Sequence, residues 1–213
     1  MDNYNDLTER QKGLFENDIP KILRHYTKLP CLLKILESQK FKLSDTDNFN
    51  DPKDKAWSNA YKKATDSKKL YTLCFTWETE LIHHWNTYAG DKFGCYLAFN
   101  GADLIQSAKE KNIKYGCVNY IKNIKTNSGN ILASFEDKEK IPFSKAWAYR
   151  CEHEYRFVST EEKTLDIKFD HIRQIVITSK MDDDLFASYK EKIRKFYKGR
   201  ISHSSLEEEI EEG

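Results

Sequence analysis

The sequence predicts an α+β fold: a single compact domain with a mixed or antiparallel sheet flanked by helices. Short apolar runs of strand length recur along the chain, and two longer stretches keep the i, i+3, i+4, i+7 spacing of amphipathic helices. The two kinds of element are interspersed without strict strand–helix–strand alternation, which favours α+β over a doubly wound sheet. The 213 residues suit one domain, and no repeat or Gly/Ser-rich or Pro-rich linker divides them.

Residues 1–18 are polar and read as a loose lead-in, so the domain is placed at 19–200 and an acidic tail at 201–213. Ile22 to Thr27 is a strand with Leu23, His25 and Thr27 on one face and Ile22, Arg24 and Tyr26 on the other. Pro30 opens a helix on Leu29, Leu32, Leu33 and Leu36, and Phe41 to Ser44 forms a second short strand. Asp51 before Pro52 predicts a helix start, with Asp51 as the cap and the helix running through Trp57 and Tyr61. Strands are predicted at Leu70–Thr76, Phe93–Phe99 and Lys114–Ile121, with a helix over Glu78–Ala89. A helical turn at Phe143–Ala148 leads into a strand over Tyr149–Ser159. Strands at Leu165–Phe169 and His171–Thr178 follow, then a helix from Asp182 to about Lys198.

Composition excludes several classes of function. The 35 basic and 34 acidic residues nearly cancel, unlike the strong basic excess of a dedicated nucleic-acid binder. Cys31, Cys74, Cys95, Cys117 and Cys151 are odd in number and scattered, so they read as reduced thiols, mostly in the core, rather than a disulfide frame or zinc site. His83 and His84 lack the i, i+4 spacing of a helical metal pair, and no metal is expected. No apolar run approaches the length of a membrane span, and MDNYNDLTERQKG has no apolar stretch of the signal-peptide kind. The expectation is a cytoplasmic protein that does not engage membranes.

Three constellations can carry chemistry. On a continuous strand, Arg150, Glu152, Glu154 and Arg156 share one face, opposite Cys151, His153, Tyr155 and Phe157. Two carboxylates between two guanidiniums can have their pKa values driven apart. The plain alternative is a solvated edge strand with weak ion pairs. The second constellation is His25-Tyr26-Thr27, which ends a strand beside a helix start and can meet a ribose or phosphate, or else is structural. The third is Asn50-Asp51-Pro52 with Trp85 and Tyr88, either a cap plus core aromatics or a turn and aromatic wall for a flat ring. Walker A, dinucleotide G-x-G-x-x-G and G-x-S-x-G motifs are absent.

Together these residues resemble the bacterial domain-of-unknown-function family 2971. The resemblance rests on His25-Tyr26-Thr27, Leu33 to Leu36, Asn50-Asp51-Pro52, Trp85 to Tyr88 with Gly94, and Trp147 with Glu152, Glu154 and Arg156. It covers about residues 20 to 180 and supplies no function. In this chain Glu152 follows Trp147 one or two residues later than in the family pattern. A more distant resemblance links His25-Tyr26-Thr27, the short helix and the strand ending in Ser44 to the front of ADP-ribosyltransferases, including DNA-modifying toxins. That likeness implies NAD as co-substrate, His25 on a ribose hydroxyl, Glu154 as the late-strand glutamate and an aromatic such as Tyr88 or Tyr61 on nicotinamide. Under it the catalytic candidates are Glu154, Glu152 and His25. The cofactor-binding candidates are His25, Tyr26, Thr27, Asn50, Asp51, Trp85, Tyr88 and Arg156.

Three functions are therefore weighed. The first is an NAD-consuming or ADP-ribosyl-transferring enzyme, a toxin or defence effector acting on a macromolecular acceptor. The second is a nucleotide-binding or sensor module without turnover. The third is a protein-interaction domain using the carboxyl-terminal helix and acidic tail.

Overall fold

The computed structural model describes residues 19–90, 92–122, 135 and 137–206. The expected lead-in at 1–18 and the end of the tail, 207–213, lie outside the described residues. In chain order the elements begin with β1 (Ile22–Lys28), α1 (Leu29–Ser38), β2 (Lys40–Lys42), β3 (Ser44–Asp45), α2 (Pro52–Ala64) and β4 (Tyr71–Thr76). A short helix, α3 (Ile82–His84), runs on as a π-turn over Trp85–Ala89, followed by β5 (Gly94–Asn100), α4 (Gly101–Glu110), β6 (Lys114–Cys117) and β7 (Asn119–Ile121). After a 3₁₀ turn at Lys138–Phe143 come β8 (Ser144–Ala146), a second 3₁₀ turn at Trp147–Glu152 and β9 (Glu154–Ser159). The chain closes through β10 (Thr164–Asp166), β11 (Ile172–Ile177), α5 (Asp183–Arg194) and β12 (Arg200–His203).

These elements form two compact units, each discontinuous in sequence. Among the described residues, one takes Ile19–Pro20, Lys42–Cys74 and Ala108–Leu165; the other takes Lys21–Phe41, Phe75–Ser107 and Asp166–Leu206.

The second unit is built on a mixed sheet in the order β12-β11-β5-β1. β12 runs parallel to β11, while β5 is antiparallel to both β11 and β1, in register from Ile22 opposite Asn100 to Lys28 opposite Gly94. β5 is buried along nearly its whole length, so its sequence CYLAF shows a continuous apolar run rather than alternation. On one side Leu29, Leu32 and Leu36 of α1 are fully buried, and that helix packs on β5 and α5. Phe41, Phe75 and Phe99 meet edge to face with centroids 5.4–6.1 Å apart. Tyr26, Ala89, Tyr96, Ala98 and Val176 form another cluster, with Trp85 packed against it.

In the first unit the strand order is β4-β9-β6, with β3 paired to β4 and β6 antiparallel to β9. Asp51 caps α2 as its sequence predicts: Oδ1 accepts from the Lys53 and Asp54 amides at 2.8 and 2.9 Å. Trp57 and Tyr61, one helical turn apart, pack with Leu70, Ile141 and Val158.

Several expectations are corrected. The strand over Tyr149–Ser159 exists only from Glu154, because Trp147–Glu152 coils as a 3₁₀ turn and His153 adopts a left-handed backbone with φ 44°. The turn expected at Phe143–Ala148 divides: Ser144–Ala146 is β8, paired in parallel with β7. The helix expected from Glu78 begins only at Ile82. Lys114–Ile121 is two strands separated at Val118, whose amide bonds the Glu154 carbonyl. Helix α4 has no counterpart in the sequence reading. Neither does β12, whose residues Ile201–His203 fall inside the expected tail and pair beside β11. Of the cysteines, Cys31 and Cys151 are exposed rather than in the core, and Cys95 is buried.

Candidate functional site: a buried carboxylate cluster

Four segments in the first unit bring five charged side chains together. Asp54 comes from the first turn of α2, Lys145 from the middle of β8, Glu152 from the last residue of the second 3₁₀ turn, and Glu154 and Arg156 from alternate positions of β9. All are buried: Asp54 is 7% exposed, Lys145 8%, Glu152 4%, Glu154 5% and Arg156 4%. A solvated face with weak pairs is thereby excluded. These are desolvated charges whose partners decide whether they can exist.

Arg156 is held through four of its N–H donors. Nε donates to Glu154 Oε1 at 2.7 Å, Nη2 to Glu154 Oε2 and Asp54 Oδ2 at 3.1 Å each, and Nη1 to the Pro142 carbonyl at 2.9 Å. Lys145 Nζ donates to Glu152 Oε2 at 2.5 Å and Glu154 Oε2 at 3.2 Å, and lies 3.8 Å from Asp54 Oδ2. The Glu154 backbone amide donates to the Tyr120 hydroxyl at 2.9 Å, which pins the start of the strand. The Lys145 head also sits 5.0 Å from the Tyr149 ring centroid, and the Tyr149 hydroxyl donates to Asp51 Oδ2.

The electrostatics follow from this geometry. Burial opposes ionisation of Glu154, but Arg156 and Lys145 together outweigh it and hold its carboxyl at a pKa of about 2. For Asp54 burial wins over the same two cations, and its pKa rises. Its Oδ1 is buried with no hydrogen-bond partner among the described residues. Two neighbouring carboxyls are thus pushed in opposite directions, the arrangement that assigns acid and base roles in many enzyme sites. Burial lifts the Cys74 thiol well above its ordinary range despite Arg156 nearby, so it is a neutral donor beside Glu154. Three carboxyl groups thus face two cations in the cluster.

Of the predicted residues, Glu152, Glu154 and Arg156 are brought together. Arg150 is not with them: it is exposed, and its guanidinium stacks 5.1 Å from the Trp147 ring because the 3₁₀ turn breaks the expected alternation. Asp51 reaches the cluster's edge through Tyr149, while Asn50 is exposed. Asp54 and Lys145 belong to the cluster and were not among the sequence candidates. Asp54 carries one usable signal, an acid three residues after a cap, which also reads as a partner of the helix dipole. Lys145 carries none, since one lysine among many gives no period.

The remaining candidates lie in the second unit. His25 is half-buried, its ring 4.9 Å from Phe41 and 5.4 Å from Phe75. Thr27 is half-buried, its carbonyl 3.6 Å from Cys95 Sγ. Tyr26 packs against His84, Trp85 and Tyr96 at 5.1–5.3 Å, and burial raises its hydroxyl pKa. Glu80 fixes that aromatic group, accepting from Trp85 Nε1 at 3.2 Å and the Tyr96 hydroxyl at 2.9 Å. Tyr88, at the end of the π-turn, is 43% exposed. Among the described residues no group of three or more metal-binding side chains converges, and no helix is long and apolar enough to cross a membrane.

Comparison with solved structures finds likeness to DarT of Thermus sp. 2.9. With the form in complex with NAD+ the TM-score is 0.45 at 11% identity, covering 88% of this chain and 96% of that one. With the form in complex with ADP-ribosylated ssDNA it is 0.45 at 13%, covering 87% and 94%. With the carba-NAD+ complex it is 0.44 at 10%, covering 88% and 97%. No curated protein matches. The model of the family described as "Protein of unknown function (DUF2971)" matches residues 84–157, the stretch that carries Trp85, Tyr88, Gly94, Trp147, Glu152, Glu154 and Arg156; His25-Tyr26-Thr27 and Asn50-Asp51-Pro52 fall outside it.

Proposed function

We propose that this chain is an NAD-directed enzyme of the ADP-ribosyl-transferring kind, in which Glu154 is a fixed anionic charge. The observation that carries this reading is that Glu154, almost wholly buried, is kept ionised by Arg156 and Lys145. Breaking the bond between nicotinamide and ribose builds positive charge on the sugar in an oxocarbenium-like transition state. A preorganised negative group in a water-poor setting stabilises that charge without reorganising. With both oxygens committed to cations, Glu154 acts through its field and not as a proton acceptor. The bond whose cleavage is tested is the nicotinamide–ribose bond of NAD, and the acceptor of the ADP-ribosyl group is water or a macromolecule.

One observation favours a second reading. Because Arg156 and Lys145 already occupy both Glu154 oxygens, the cluster also fits a scaffold beneath a nucleotide-binding module without turnover. Chromatographic measurement of nicotinamide released from NAD, run beside calorimetric NAD binding, separates the two. The enzyme reading expects release, with Glu154→Gln slower by about 100-fold or more while still folded. Binding without release selects the second reading, and neither binding nor release removes both.

A further inference from the structure

We propose that Lys145 is a positioning residue that holds the Glu152 and Glu154 carboxylates side by side on one ammonium, and so fixes the acid limit of the activity this pair serves. The inference rests on the NAD-directed reading for its activity arm, but its structural arm stands apart from it.

One ammonium faces three carboxylates from three segments: Glu152 on the 3₁₀ turn, Glu154 on β9 and Asp54 on α2. Arg156 does not duplicate it, since its bonds go to Glu154, Asp54 and the Pro142 carbonyl. Bridged by a single Nζ at 2.5 and 3.2 Å, Glu152 and Glu154 lie within the range at which two buried carboxylates repel strongly. Without a cation between them, two such carboxylates disfavour each other's charge, and the pair titrates as a coupled unit.

The Lys145 ammonium also sits 5.0 Å from the centroid of the Tyr149 ring, which the Asp51 carboxylate anchors through the phenol. Burial disfavours its charge, yet Glu154 and Glu152 outweigh burial and raise its pKa, so it remains an ammonium. The groups facing it are Asp51 and Asp54 from α2, Tyr149 and Glu152 from the 3₁₀ turn, and Glu154 and Arg156 from β9. Behind Glu154 stand Cys74 on β4 and Tyr120 on β7.

The test is an NMR titration of glutamate-labelled protein, with the pH profile of nicotinamide release on the same samples. Parent, Lys145→Met, Lys145→Arg and the double variant Lys145→Met/Glu152→Gln are compared. Lys145→Met is expected to raise one apparent pKa of the pair by about one unit or more. Lys145→Arg should return most of that shift, and the double variant should return it by removing the repulsion. The acid limb of nicotinamide release should move with the titration. If Lys145→Met does not fold, the double variant is expected to fold where the single does not; a double variant no more stable than the single overturns the proposal. An unchanged titration in folded Lys145→Met overturns it too, and with normal nicotinamide release leaves the NAD reading standing. A shifted titration in a parent that never releases nicotinamide removes the NAD reading and keeps the pairing.

Discussion

Replacing Glu154 with Gln isolates the electrostatic contribution of the buried cluster, because it keeps the shape of the side chain and removes its charge. Glu154 has its pKa lowered from 4.5 to about 2 in the folded protein. A carboxyl depressed on folding contributes stability that is fully present above its unfolded pKa and is lost as pH falls through its folded one. At 1.36 kcal/mol per pKa unit, the depression corresponds to about 3 kcal/mol, present above about pH 4.5 and gone near pH 2. Breaking a buried ion pair by deleting one member costs about 3–5 kcal/mol, so two independent routes agree in size. Asp54 works in the opposite sense: burial raises its pKa, which favours the folded state at low pH over neutral pH, and removing the Glu154 charge takes away only a smaller cause of that rise. Urea unfolding of parent and variant from pH 7 down to about pH 2 should show a difference of about 3 kcal/mol at the neutral end that closes toward the acid end. A difference that stays constant with pH would show that packing, not charge, explains the loss, and would refute the reasoning.

Other substitutions probe separate parts of the structure. Tyr120→Phe removes the acceptor of the buried Glu154 amide and should cost about 1–3 kcal/mol, read by denaturant midpoint at neutral pH. Asp51→Ala deletes the cap of α2 and should cost about 1 kcal/mol, while Asp51→Asn, which still caps, should restore most of it. Gly199→Ala drives a methyl into the ring of Tyr197, whose hydroxyl donates to the Ile172 carbonyl, and should lower thermal stability by about 1–3 kcal/mol; a neutral result would mean the ring moves aside freely.

Much of the fold was legible because its signals are local. β1, α1 and α2 follow directly from the faces of Ile22–Thr27, the leucine spacing after Pro30 and the Asp51-Pro52 start, and each begins within a residue of its expected start. The clearest miss was also local in origin. The alternating charges of Arg150–Arg156 mimic a strand face, but tight coiling over Trp147–Glu152 and a left-handed His153 reset the phase. Only Glu154 and Arg156 keep the predicted relation, and Glu152 joins them from the turn. Asp54 and Lys145 were not legible, because what places them beside Glu154 is the packing of α2 and β8 around β9, 102 residues separating Asp54 from Arg156. β12 was hidden by the acidic run after it, and α4 by its even mixture of polar and apolar residues.

Stability alone does not explain why this cluster exists. Replacing a buried ionic network by apolar residues of equal volume is often neutral or stabilising, so burying Asp54, Glu152, Glu154, Lys145 and Arg156 gains the fold little that leucines would not. A network serving only as cement would also be balanced in charge and complete in its hydrogen bonds. Here three acids face two bases, and Asp54 Oδ1 has no partner among the described residues. The two groups whose pKa values diverge lie side by side in it, Asp54 raised by burial and Glu154 held down against burial by Arg156 and Lys145. That division fits the NAD-directed reading proposed above, in which the fixed Glu154 charge meets developing positive charge.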